Sequence, residues 1–169
     1  MDEPIFSEAR GRQGVTLLVV RPHPDDESIA TGGILASYSA RGVRTGVVIC
    51  TGGEEGQIHD PDLDPVADIP RLRDIRTREV REACAILGVA TLQMLGYRDS
   101  GMPGTPANQH PEAFINADPV EATGQLVRII RALRPLVMVT EPPGGLPPAA
   151  PGEHELDLLD GLDVTGGTG

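Results

Sequence analysis

The stretch VVRPHPDDES sets His23, Pro24, Asp25 and Asp26 directly after a run of aliphatic and β-branched residues. Adjacent carboxylates repel each other unless a cation, a helix N-terminus or water takes up their charge. His23 and Asp26 are three residues apart, so a single turn brings both onto one side. An imidazole nitrogen and a carboxylate oxygen are donors that suit Zn²⁺, and Asp25 between them is then left to address a water held on the metal. The competing reading is structural: Asp25 or Asp26 caps the helix that follows. Two ligands are also fewer than a catalytic zinc site uses. Spacing alone leaves both readings open.

Chemistry at that position needs a strand to deliver it. VTLLVV (15–20) is a short continuous apolar run, as expected of a strand buried on both faces. ESIATGGILASYSARG carries Ile29, Gly33, Ile34, Ala36 and Tyr38 at helical spacings, and Gly42 supplies a stop. A second strand reads TGVVICT (45–51), followed by a loop of glycine, proline and acid over 52–70. RLRDIRTREVREACAILG is amphipathic, with Leu72, Ile75, Val80, Ala83, Cys84 and Leu87 toward the core and arginines opposite. A strand TLQML (91–95), a second long loop through Asp118, a helix PVEATGQLVRIIRALR and a strand PLVMVT (135–140) complete the pattern. Strands alternating with helices predict an α/β, Rossmann-like three-layer sandwich on a mostly parallel sheet. Ligands of such sheets bind outside the carboxyl ends of the strands. The segments at those ends are RPHPDDES, TGGEEGQ, GYRDSGM and EPPGG.

Composition narrows the partners. A chain of 169 residues suits one domain. The net charge of −11, with every base an arginine, argues against nucleic acid and anionic membranes, which need phosphates neutralised. With aromatics at 2%, platforms for stacking bases are lacking too. A small neutral or cationic ligand fits better. Cys50 and Cys84 read as reduced core thiols, and neither a signal peptide nor a membrane-length apolar run is visible, so a cytoplasmic protein is expected. The number of subunits stays open, a homo-oligomer included. TGGEEGQ lacks the Lys-Ser/Thr of a phosphate loop, and ATGGILAS lacks dinucleotide-binding glycine spacing. DPDLDP begins like a calcium loop, but Pro65 and Arg71 stand where glycine and a bidentate acid belong. His59 and His110 lie in polar loops and are expected to face solvent.

Three motifs in unbroken order, PHPDDES, TGGEEGQIHDPDLD and GYRDSGMPGT, resemble those of the zinc-dependent N-acetylglucosaminyl deacetylases, the LmbE-like or PIG-L superfamily. The likeness runs from about Val15 to Thr140 and is strongest to the branch with the mycothiol-pathway deacetylase and amidase. It implies a metal-dependent amidohydrolase that removes an acetyl or related acyl group from an N-acetylglucosamine-type conjugate. By the same resemblance, His23 and Asp26 match two ligands of Zn²⁺ (or another divalent metal) and Asp25 matches the general base. Arg76, Asp99, Met102 and Ser28 match substrate-contacting positions.

One motif departs from the family. The third ligand there comes from a segment resembling G-G-Y-G-H-P-D-H after the fourth strand, where this chain reads VTEPPGGLPPAAPGEHELDLLDG. Gly144 and Gly145 remain; the histidine pair does not. His154 is the nearby imidazole and the candidate replacement ligand. Residues 1–140 are therefore expected to form the deacetylase-like core. Residues 141–169, rich in proline, glycine and acid and without arginine, are expected to form an irregular tail from a frameshifted or truncated reading frame. The alternative function is a catalytically impaired, sugar-binding remnant of the same fold.

Overall fold

The structure is a computed structural model that describes residues 14–141. Most of the expected tail, His154 included, lies outside the described residues. β1 (Leu17–Arg21) and β2 (Thr45–Thr51) are buried at every position, which is why they read as unbroken apolar runs rather than as alternating ones. With β3 (Thr91–Tyr97) and β4 (Val137–Val139) they form a four-stranded sheet in the order β3-β2-β1-β4, every pairing parallel.

The period-two alternation of the strands divides the core between the two faces. Leu17, Val19, Val47 and Ile49 pack with Leu35 of α1 (Asp26–Ala40) and with Val80 and Cys84 of α2 (Leu72–Ile86). Leu18, Val20, Val48 and Cys50 pack against Leu126, Ile129, Ile130 and Leu133 of α3 (Pro119–Leu133). Helix, sheet and helix therefore make the three expected layers. α3 starts where Asp118 accepts the amides of Val120 and Glu121, with Pro119 in its first turn. Both cysteines are buried free thiols, pushed up to about 11 by burial. Among the described residues no helix is long and apolar enough to cross a membrane.

Three local features differ from the sequence reading. β3 runs two residues further than 91–95, past Gly96 at φ 85°, with a register shift against β2 between Ile49 and Thr51. β4 is shorter than 135–140, since Pro135 has no amide for the ladder. On α1 two of the large apolar residues point outward: Ile29 is 82% and Ile34 47% exposed. The buried stripe is Glu27, Thr31, Gly32 and Leu35, so the face turned to the sheet is partly polar and ends in a carboxylate.

This reversal is testable. Leu35, fully buried, should cost about 2–5 kcal/mol as Leu35→Ala. Ile29→Ala on the same helix should stay within about 0.5 kcal/mol of wild type in the same denaturant titration.

Candidate active site

The ends of β1, β2 and β3 open on one pocket of about 510 Å³ lined by His23, Asp25, Arg76, Asp99 and Met102 among others. His23 stands two residues beyond β1. Its Nδ1 lies 3.4 Å from Asp26 Oδ2 and its Nε2 lies 3.5 Å from Asp99 Oδ1, so one imidazole is flanked by two carboxylates. Asp26, and then Asp99, hold the imidazolium against the opposing effect of burial and raise its pKa from 6.5 to about 9. Burial alone would raise Asp26, but hydrogen bonds from the His23 side chain and amide outweigh it and keep the carboxyl below its ordinary range. Asp99 shows the same balance: burial opposes ionisation, while His23 and the amides of Gly101 and Glu55 favour it.

Neither aspartate caps the helix in the ordinary way. Asp25 occupies the cap position without a side-chain cap bond, while its carbonyl accepts the amides of Ser28 and Ile29. Asp26 turns back and accepts the His23 amide at 3.0 Å. Asp25 itself sits at φ 94°, a left-handed conformation uncommon for a residue with a Cβ. Arg76, reaching in from α2, donates to Asp25 Oδ2 at 2.7 Å, to the Pro24 carbonyl at 2.5 Å and to the Gly53 carbonyl at 2.7 Å. The glycines of TGGEEG make room for that arm. A Cβ on Gly53 would lie 2.3 Å from Arg76 Nη1, and one on Gly56 would lie 2.7 Å from it.

Of the residues singled out by sequence, His23, Asp25, Asp26, Asp99 and Arg76 form one connected cluster. Met102 lies on the pocket wall, 73% exposed. Ser28 is not among the lining residues, and its hydroxyl donates to Glu27 Oε1 at 2.6 Å. His59 is exposed, as expected of a loop residue, and also lines the pocket. Three residues went unassigned. Glu27 is 1% exposed beside Asp25. Arg21, 6% exposed at the end of β1, pairs with Glu141 and helps to keep Asp26 ionised. Glu55 pairs with Arg98 and gives its amide to Asp99. A charged residue closing an apolar strand was the available signal for Arg21, while Glu27 looked like an ordinary acid in a first helical turn.

The donors present fit a small divalent cation. A tetrahedral zinc with donors at about 2.0–2.2 Å sets neighbouring donors roughly 3.3–3.6 Å apart, and the Nδ1–Oδ2 separation of 3.4 Å falls in that range. Among the described residues no set of three or more His, Cys, Asp or Glu side chains is grouped to hold a metal. The pair is two donors, one short of the three protein ligands of a catalytic zinc.

The sequence profile described as PIG-L: GlcNAc-PI de-N-acetylase matches residues 18–155. A 1D-myo-inositol 2-acetamido-2-deoxy-alpha-D-glucopyranoside deacetylase from Acidothermus cellulolyticus is 52% identical over 131 residues, which is 74% of this chain and 45% of that protein. The corresponding deacetylase 1 of Catenulispora acidiphila is 48% identical over 130 residues, covering 73% of this chain and 40% of its own. The chain thus spans less than half the length of these curated relatives. The N,N'-diacetylchitobiose deacetylase of Pyrococcus horikoshii superposes with a TM-score of 0.57 at 28% identity, over 86% of this chain and 45% of that one. With the profile extending over most of its length and relatives about half identical over that span, this chain belongs to the PIG-L family of de-N-acetylases.

Proposed function

We propose that the protein is a zinc-dependent hydrolase that removes an acetyl, or a related acyl, group from the amine of an N-acetylglucosamine-type conjugate such as a glucosaminyl inositol. The observation that carries this reading is the convergence of Asp26 and Asp99 on the imidazole of His23, with Asp25 on the same pocket. The names of the relatives supply the substrate class.

His23 and Asp26 would hold the metal, with His154, outside the described residues, as the candidate further donor. A divalent zinc in this place supplies a Lewis acid for the amide carbonyl and lowers the pKa of water. Asp99 accepts the remaining imidazole N–H and fixes the ring. Asp25 has one oxygen held by Arg76, leaving the other to take a proton from the attacking water and return it to the departing amine. Asp99, Arg76 and Met102, which line the pocket, are assigned to the sugar, whereas Ser28 gives its hydroxyl to Glu27. The buried thiols support a cytoplasmic setting.

Purified protein dialysed against zinc should retain it, and His23→Ala, Asp26→Ala and His154→Ala should each weaken retention at least about tenfold, read by metal analysis. Asp25→Asn should still bind zinc but release acetate about a hundredfold or more slowly from an N-acetylglucosaminyl inositol. Folded, zinc-loaded wild type that releases no acetate would leave the sugar-binding remnant as the reading.

The raised pKa of His23 gives the site a pH dependence. In the metal-free chain the protonated imidazole stabilises the fold fully below 6.5, and that contribution is lost as pH rises through about 9. Zinc must displace this proton, so affinity should rise about tenfold per pH unit as pH approaches about 9 from below and level off above it. Competition with a chromogenic chelator measures this; a flat profile would contradict the assignment of His23.

A further inference from the structure

The strained residue at the pocket mouth is held from behind by a carboxylate that nothing so far has used. Asp25 stands at φ 94°. Its amide points at Glu27 Oε2, 3.0 Å away, and the other oxygen of Glu27 receives the Ser28 hydroxyl at 2.6 Å. Glu27 is 1% exposed, so the acceptor carboxylate is buried, while its donors Asp25 and Ser28 lie nearer the surface. The Glu27 backbone is tied in turn, since its carbonyl accepts the Thr31 hydroxyl at 2.7 Å.

We propose that Glu27 is a positioning residue: its buried carboxylate accepts the Asp25 amide and so holds Asp25 in the left-handed conformation from which its side chain meets Arg76 and the pocket. The role of Asp25 in proton transfer rests on the function proposed above; the role of Glu27 in holding residue 25 does not.

The physical case has two parts. A left-handed backbone at a residue with a Cβ persists only where surrounding contacts over-determine it. Here they act from opposite sides, Glu27 on the amide and Arg76 on the carboxylate and on the preceding carbonyl. A buried acceptor also cannot be replaced by water, so its removal leaves the Asp25 amide either unpaired or free to rotate out. The contact is the acidic half of a capping box, made one residue earlier than usual and without the reciprocal bond from the cap side chain, so the hold on residue 25 falls to Glu27.

The test uses the full chain, metal-free and without substrate, with exchange of the Asp25 amide followed by nitrogen-15 NMR. Wild type should show that amide protected relative to an unfolded chain. Glu27→Gln keeps an oxygen for the amide and a donor for the Ser28 hydroxyl, and should exchange like wild type. Glu27→Leu should exchange on the order of tenfold faster or more at Asp25, with Val47 and Ile49 unchanged. In acetate release, Glu27→Leu should lose kcat with KM retained, and Glu27→Gln should restore it. Should Glu27→Leu fail to fold, Glu27→Asp, one methylene short of the amide, carries the same expectation. An unprotected Asp25 amide in wild type, unchanged exchange in the variant lacking the acceptor, or a Gln variant as fast as the Leu variant would each overturn the proposal. Because exchange is read without zinc or turnover, it stands or falls separately from the deacetylase reading.

Discussion

Charge balance at the carboxyl end of the sheet is the constraint on which the rest of the structure depends. Three aspartates, Asp25, Asp26 and Asp99, are gathered at the ends of two strands, and such a group is tolerable only if each carboxylate meets a cation. Asp26 and Asp99 share the imidazolium of His23, while Asp25 has the guanidinium of Arg76. Behind them Arg21 adds a buried positive charge close enough to favour the ionised form of Asp26.

Parallel topology makes this gathering possible. All four strands run the same way, so β1, β2 and β3 release their loops at a single edge, and the helices close both faces. Each loop then has a separate task. The first carries the acid–imidazole pair, the second bends on glycines to admit two arginines from α2, and the third brings Asp99 back toward His23. The acids of the second loop pair with arginines as well, Glu54 with Arg73 and Glu55 with Arg98. Around the pocket these ion pairs stand beside apolar residues of its wall, Ile58, Leu63, Leu72, Ile75 and Met102.

Much of this was legible in the sequence, and the parts that were not have a common cause. Apolar runs identified β1 and β2 because they are buried on both sides, and the 3.6-residue period identified α2 because its other face meets water. α1 gave a misleading pattern. Its inward stripe is Glu27, Thr31, Gly32 and Leu35, while Ile29 and Ile34 face outward, so hydrophobicity does not mark its buried side. The residues missed in the site, Glu27 and Arg21, are charged groups whose burial depends on partners at short range or across the sheet. Single-sequence patterning treats charge as a mark of exposure. His23, Asp25 and Asp26 were found because their types and spacing carry chemistry whatever their burial.

The tight approach of Arg76 to Gly53 and Gly56 bears on how the sequence can drift. The arginine and the two hydrogen-only positions occupy a single volume, so they form one heritable unit rather than three independent sites. Bulk at Gly56 would displace the long basic arm, while Gly53, at φ 67°, resists a side chain with or without that arm. Divergence at Gly56 is expected to proceed by paired exchange.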